Sequence, residues 1–145
     1  MSLDSAKLTA LSQAQLDELF RNGSPQHVPI GDADGTAIIL PGRRLSALFA
    51  RLIRLVAWQG KVFDSDGRGL ANKISPFRIR LIRATVYKDK SWLDSNECIV
   101  LDYSRTSLVA RWIRDEIREI EPGQYLGIVY WGKRKLANFL LVFSK

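Results

Sequence analysis

From residue 58 onward, apolar and polar side chains alternate in short runs separated by turn residues, whereas the preceding third of the chain carries helical spacing. The junction is Ala57-Trp58-Gln59-Gly60-Lys61-Val62-Phe63-Asp64. Period-two runs bounded by turn chemistry predict strands. Lys61 to Asp64 and Leu70 to Ile74 flank Ser65-Asp66-Gly67-Arg68-Gly69, which reads as a hairpin loop. Phe77, Ile79 and Leu81 alternate with Arg78 and Arg80, but Ile82, Ala84 and Val86 continue the apolar set in the opposite phase. A β-bulge near Leu81 and Ile82 restores one face; without it Arg83 and Tyr87 are drawn inside.

Glu97 to Tyr103 is apolar on both faces and reads as a central strand. Residues 106 to 120 fit two periods: Leu108, Val109, Trp112, Ile113, Ile117 and Ile120 suit a helix, while Ile113, Asp115, Ile117 and Glu119 against Arg114, Glu116 and Arg118 suit a strand. A short helical turn followed by a strand from Trp112 is the expected resolution. Tyr125 to Trp131 and Leu136 to Phe143, joined by Gly132-Lys133-Arg134-Lys135, complete the set. In the first third, Ser12 and Gln15 form a capping box for a helix over 12–22 that Gly23 ends, with Leu16, Leu19 and Phe20 as its apolar stripe. This helix reads as a lid or an outer clasp. Pro25, Pro29, Gly31 and Asp34-Gly35 mark residues 24–35 as a connection or tight hairpin, and Ile38 to Leu40 as a short strand. Leu45, Leu48, Phe49, Leu52 and Val56 predict a second helix over 43–57, either packed on the sheet or lying on an anionic membrane.

The fold expected is therefore mainly β: a small antiparallel barrel of about eight strands with one or two N-terminal helices. One domain is expected over 1–145, with a helical part over 1–57 and the barrel over 58–145. A chain of 145 residues suits a single core. The formal charge of +7 is concentrated in residues 43–90, where twelve Lys and Arg face Asp64, Asp66 and Asp89. That half is open to weak contact with nucleic acid or an anionic membrane, or is a solvated face. The lone Cys98 and the lack of a leading apolar segment suggest a cytoplasmic setting, and no run is long enough for a transmembrane helix.

Catalytic motifs are sparse. His27 is the one histidine and sits among turn residues, so neither a Ser-His-Asp arrangement nor the usual zinc site is expected. Gly67-x-Gly69 lacks the third glycine of a dinucleotide fingerprint, and no cofactor is expected. Lys133-Arg134-Lys135 suits phosphate contact or solvation, and Trp92 and Trp131 suit base stacking or core packing.

Trp58-x-Gly60-Lys61-x-Phe63, Asn72, Asp102-Tyr103, Arg114 and Gly127 give residues 55–143 a loose resemblance to the C-terminal domain of bacterial GXWXG-type, lipocalin-like (calycin-like) proteins. The resemblance implies a barrel that holds a lipophilic small molecule. The candidate ligand-binding residues are Trp58, Arg83, Tyr87, Asp102, Tyr103, Arg114 and Tyr125, with Arg83 or Arg114 pairing an acid group on the ligand. Two other classes stay open. One is a small cyclase or isomerase with Asp102 or Tyr103 as acid or base beside Arg114, against which an Asp102–Arg114 ion pair is the plain alternative. The other is a binding module for nucleic acid or another anionic partner.

Overall fold

The computed structural model describes residues 7–8, 10–38, 58–74, 79–108 and 110–143. The expected helix over 43–57 lies outside these residues. Eight antiparallel strands close on themselves in chain order: β1 (Gly31–Ile38), β2 (Trp58–Phe63), β3 (Gly69–Ile74), β4 (Ile79–Lys90), β5 (Glu97–Asp102), β6 (Ile113–Glu121), β7 (Gln124–Trp131) and β8 (Arg134–Phe143). Each pairs with the next, and β1 pairs with β8 from Ala33↔Phe143 to Ile38↔Asn138, so no edge is left open.

Alternation sorts side chains to the two faces. Phe63, Leu70, Val86, Ile99, Leu101, Ile117, Phe139 and Leu141 fill the interior. A second cluster, Ile38, Cys98, Val100, Leu126, Ile128 and Leu140, forms an apolar patch on the outer wall. Helix α1 (Gln13–Arg21) covers that patch with Leu16 and Phe20, which is why β5 is apolar on both faces. The capping box is present, with Gln15 N donating to Ser12 Oγ at 3.1 Å and Ser12 N to Gln15 Oε1 at 2.9 Å. The helix is thus an outer clasp.

Arg118 locks the clasp to the wall. Its buried guanidinium makes a two-pronged contact with Asp94 at 2.7 and 2.8 Å, donates to the Phe20 carbonyl at 3.1 Å, and stacks 4.5 Å from the Phe20 ring. Charge-assisted bidentate geometry is the strongest form of such a bond.

The bulge in β4 is where the phase shift predicts it. Ala71 pairs with Arg83 and Asn72 with Leu81, leaving Ile82 unpaired at φ 56°. A β-branched residue in that region is strained and persists only where its surroundings impose it. Here the Ile82 carbonyl accepts a 2.8 Å bond from Asn72 Nδ2.

Three expectations change. Asp34-Gly35 is not a turn but the middle of β1, paired with Gly60 and Leu141. Glycine is needed there because a Cβ would collide with the Trp58 ring. Residues 104–106 and 111–112 form turns, and β6 starts at Ile113, one residue later than expected. Neither Trp92 nor Trp131 is core; they are 46% and 45% exposed.

Candidate functional site

Five polar or amphipathic side chains meet inside the barrel. Lys61 and Asn72 face each other across β2 and β3, Asp115 projects from β6, Tyr103 follows the end of β5, and Trp58 opens β2. Each shares the interior face with apolar neighbours, as Asp115 does with Ile113 and Ile117. All five lie toward the end of the barrel where β1, β3, β5 and β7 finish.

The ammonium of Lys61 donates to Asn72 Oδ1 at 2.8 Å and to Tyr103 Oη at 2.6 Å, and pairs with Asp115 Oδ2 at 3.1 Å. Its three protons are thereby matched to three acceptors. Asn72 Oδ1 also accepts from Trp58 Nε1 at 3.0 Å, and Asn72 Nδ2 donates to Tyr103 Oη at 3.0 Å. The phenol donates to Asp115 Oδ2 at 3.3 Å. One atom of the network is left over: Asp115 Oδ1 is buried without a hydrogen-bond partner.

Burial works against the Lys61 ammonium, but the Tyr103 oxygen and the Asp115 carboxylate outweigh it and hold its pKa above the ordinary value. Burial pushes the Tyr103 phenol up to about 12 despite Lys61, and it pushes the Asp115 carboxyl upward as well. A protonated, fully bonded lysine is a poor nucleophile. The ammonium also lies 5.3 to 5.5 Å from the ring centres of Trp58, Tyr103 and Phe139, which soften its loss of water.

The expected ligand-binding residues divide. Trp58, Tyr103 and Tyr125 face inward, but Tyr125 lies at the opposite end, where its hydroxyl donates to the His27 carbonyl at 2.8 Å and its ring meets Phe143. Arg83, Tyr87, Asp102 and Arg114 stand on the outer wall, because the bulge and the strand alternation turn them away from the interior. Arg83 pairs with Asp64. Tyr87 donates to Asp102 at 2.8 Å, and Arg114 directs its guanidinium to Glu116 at 2.9 Å and stacks 4.2 Å from Trp92. Asp102 and Arg114 are register partners, yet Arg114 engages Glu116 instead. A shallow depression of about 510 Å³ opens beside Trp92 and Tyr130 on this outer wall.

Lys61, Asn72 and Asp115 were not among the expected ligand residues, although period two already set Asp115 on the face of Ile113 and Ile117. Cys98 is buried, and its thiol is pushed up to about 12 by burial. Among the described residues no group of three His, Cys, Asp or Glu is placed to hold a metal ion, and no helix is long and apolar enough to cross a membrane.

Fold and interior together define a class: a closed, eight-stranded up-and-down barrel with a hydrogen-bonded Trp-Lys-Asn-Tyr-Asp network near one end, an architecture compatible with small-molecule binding. No family model matches the chain, and no curated protein matches it. Among solved structures it is similar to a protein from Thermomonospora curvata, with a TM-score of 0.64 and 15% identity over 93% of this chain and 89% of that one. That likeness extends to the fold alone.

Proposed function

We propose that the barrel binds a lipophilic small molecule whose polar head donates a hydrogen bond to Asp115. The observation that carries this reading is the unpartnered Oδ1 of Asp115 inside an apolar-walled barrel. A buried acceptor without a donor costs about 1–3 kcal/mol, which a ligand hydroxyl or amide N–H would return. Trp58, at the start of β2, is the half-buried member of the network, so the ligand would enter on its side.

The head group is better read as neutral than as a carboxylate. Arg83 and Arg114 are outside, and every proton of Lys61 already has an acceptor. An anion placed beside Asp115 would meet repulsion without a free counter-charge. This favours a long-chain alcohol, a sterol-like hydroxyl or an amide over a fatty acid anion. The acid–base enzyme reading loses Asp102 and Arg114, which face away from Tyr103 across the wall.

Quenching of tryptophan emission by a long-chain alcohol and by the carboxylate of equal length tests the proposal. Saturable binding of the alcohol, tighter than that of the carboxylate and weakened by about tenfold in the charge-compensated double variant Lys61→Met, Asp115→Leu, is expected from the loss of one hydrogen bond. Equal binding by that double variant, or no binding of either probe, would overturn it.

A further inference from the structure

We infer that the barrel end bearing Trp112 and Trp131 docks on an anionic membrane surface. Trp112 is 57% exposed and Trp131 45%, far above what aromatic side chains of this size show when they serve a core. They are neighbours on one rim: Ile113 pairs with Trp131, and Gly132 N donates to the Trp112 carbonyl at 2.8 Å. Leu108, on the connection between β5 and β6 at the same end, is 89% exposed.

Around these apolar groups stand Arg105, Arg111, Lys133 and Arg134, all exposed. Among the described residues none of the four has a carboxylate at ion-pair distance. The guanidinium of Arg111 lies 4.8 Å over the Trp112 ring, so cation and indole present one composite surface. Residues 103–112 and 132–134 contain no Asp or Glu.

The chemistry selects the partner. Indole rings settle at the headgroup level of a bilayer, an exposed leucine reaches the acyl boundary, and unpaired arginines and lysines meet anionic lipid. A nucleic acid would use the cations and could stack on the indoles, but it has no place for Leu108. Arg105, Arg111, Lys133 and Arg134 outnumber Asp89, the carboxylate that lines the depression beside Lys133, so the rim presents net positive charge to a negative plane. The inference stands on the rim residues and holds whether or not the interior takes a lipophile.

The test uses the full chain with vesicles of phosphatidylcholine alone and of an equimolar mixture with phosphatidylglycerol. Cosedimentation with the mixed vesicles at low ionic strength, little with phosphatidylcholine alone, and a blue shift of tryptophan emission are expected. The double substitution Trp112→Ala, Trp131→Ala should weaken binding about tenfold or more. Removing Arg111, Lys133 and Arg134 as glutamines should lose about fivefold per charge. Leu108→Ser should act in the same direction, and Arg68→Gln on the hairpin at the opposite end should leave binding unchanged. Three results would each overturn the inference: no binding to mixed vesicles, binding indifferent to the two tryptophans, or tighter binding to duplex DNA than to vesicles of equal phosphate concentration. A loss in Arg68→Gln as large as that per rim charge would also overturn it, because attraction would then be diffuse.

Discussion

Lys61 and Asp115 face each other from β2 and β6 with Nζ and Oδ2 3.1 Å apart, each side chain 4% exposed. Neither charge reaches water, so each is the other's compensation, completed by Asn72 and Tyr103. Breaking such a pair from one side leaves a buried uncompensated charge. Lys61→Met should therefore destabilise the protein by about 3–5 kcal/mol in urea unfolding. The double variant Lys61→Met, Asp115→Leu should recover most of that loss. If the double variant is as unstable as the single ones added together, the two groups are not coupled.

The Arg118 anchor predicts a different failure. Arg118→Ala removes the two-pronged contact with Asp94 and the bond to the Phe20 carbonyl, leaving the Asp94 carboxylate with only the Asn96 N–H and no cation. A loss of about 3 kcal/mol is expected, with amide exchange accelerating first in Gln13–Arg21. Uniform acceleration across the barrel would show that α1 and the wall unfold as one unit.

Acid should act through the same residue. The hydrogen bond from Arg118 holds Asp94 below the ordinary carboxylate value against the opposing effect of burial. A carboxyl whose folded pKa is depressed contributes stability that is complete above its unfolded value, near 3.9, and is lost as pH falls through the lower folded value. Stability of the parent should fall across that window, and Arg118→Ala should flatten the fall, as read from urea midpoints at each pH. An equally steep fall in the variant would assign the acid sensitivity elsewhere.

Much of the barrel is legible in local signals. The bulge at Ile82 follows from one phase change in β4, the clasp helix from a capping box, and most hairpins from turn residues. The signals fail where a distant contact decides. Asp34-Gly35 has the composition of a turn, but Gly35 is small because Trp58, from the next strand, lies against it. The interior network is half-legible: the alternation in β6 sets Asp115 inside, yet only closure of the barrel brings it to Lys61 and Asn72. Arg114 carries the same charge as Lys61 and sits next to Asp115, and it ends outside because a shift of one residue changes the face. Trp58, Lys61, Asn72 and Tyr103, four of the residues behind the lipocalin-like resemblance, do converge, while Asp102 and Arg114 do not.

The tyrosines give the last prediction. The chain has four, Tyr87, Tyr103, Tyr125 and Tyr130, and burial is the leading cause that raises the pKa of every one. For Tyr87, Tyr103 and Tyr125 the value reaches about 12, and Tyr130 moves in the same direction. Unfolded tyrosine ionises near 10. A phenol whose folded pKa is raised contributes stability that is complete below the unfolded value and is lost as pH rises through the folded one. Tyrosinate absorbance at alkaline wavelengths should therefore stay flat as pH passes 10 and then rise together with the loss of barrel structure. Tyr103→Phe tests the interior share directly. It removes one phenol but also an acceptor of Lys61 and the donor to Asp115, so it should destabilise the barrel at neutral pH by about 1–3 kcal/mol while leaving the remaining three phenols silent until unfolding. A tyrosinate signal near pH 10 with the far-ultraviolet spectrum unchanged would mean that at least one phenol is in free contact with solvent, and its absence from Tyr103→Phe would locate that contact at the network.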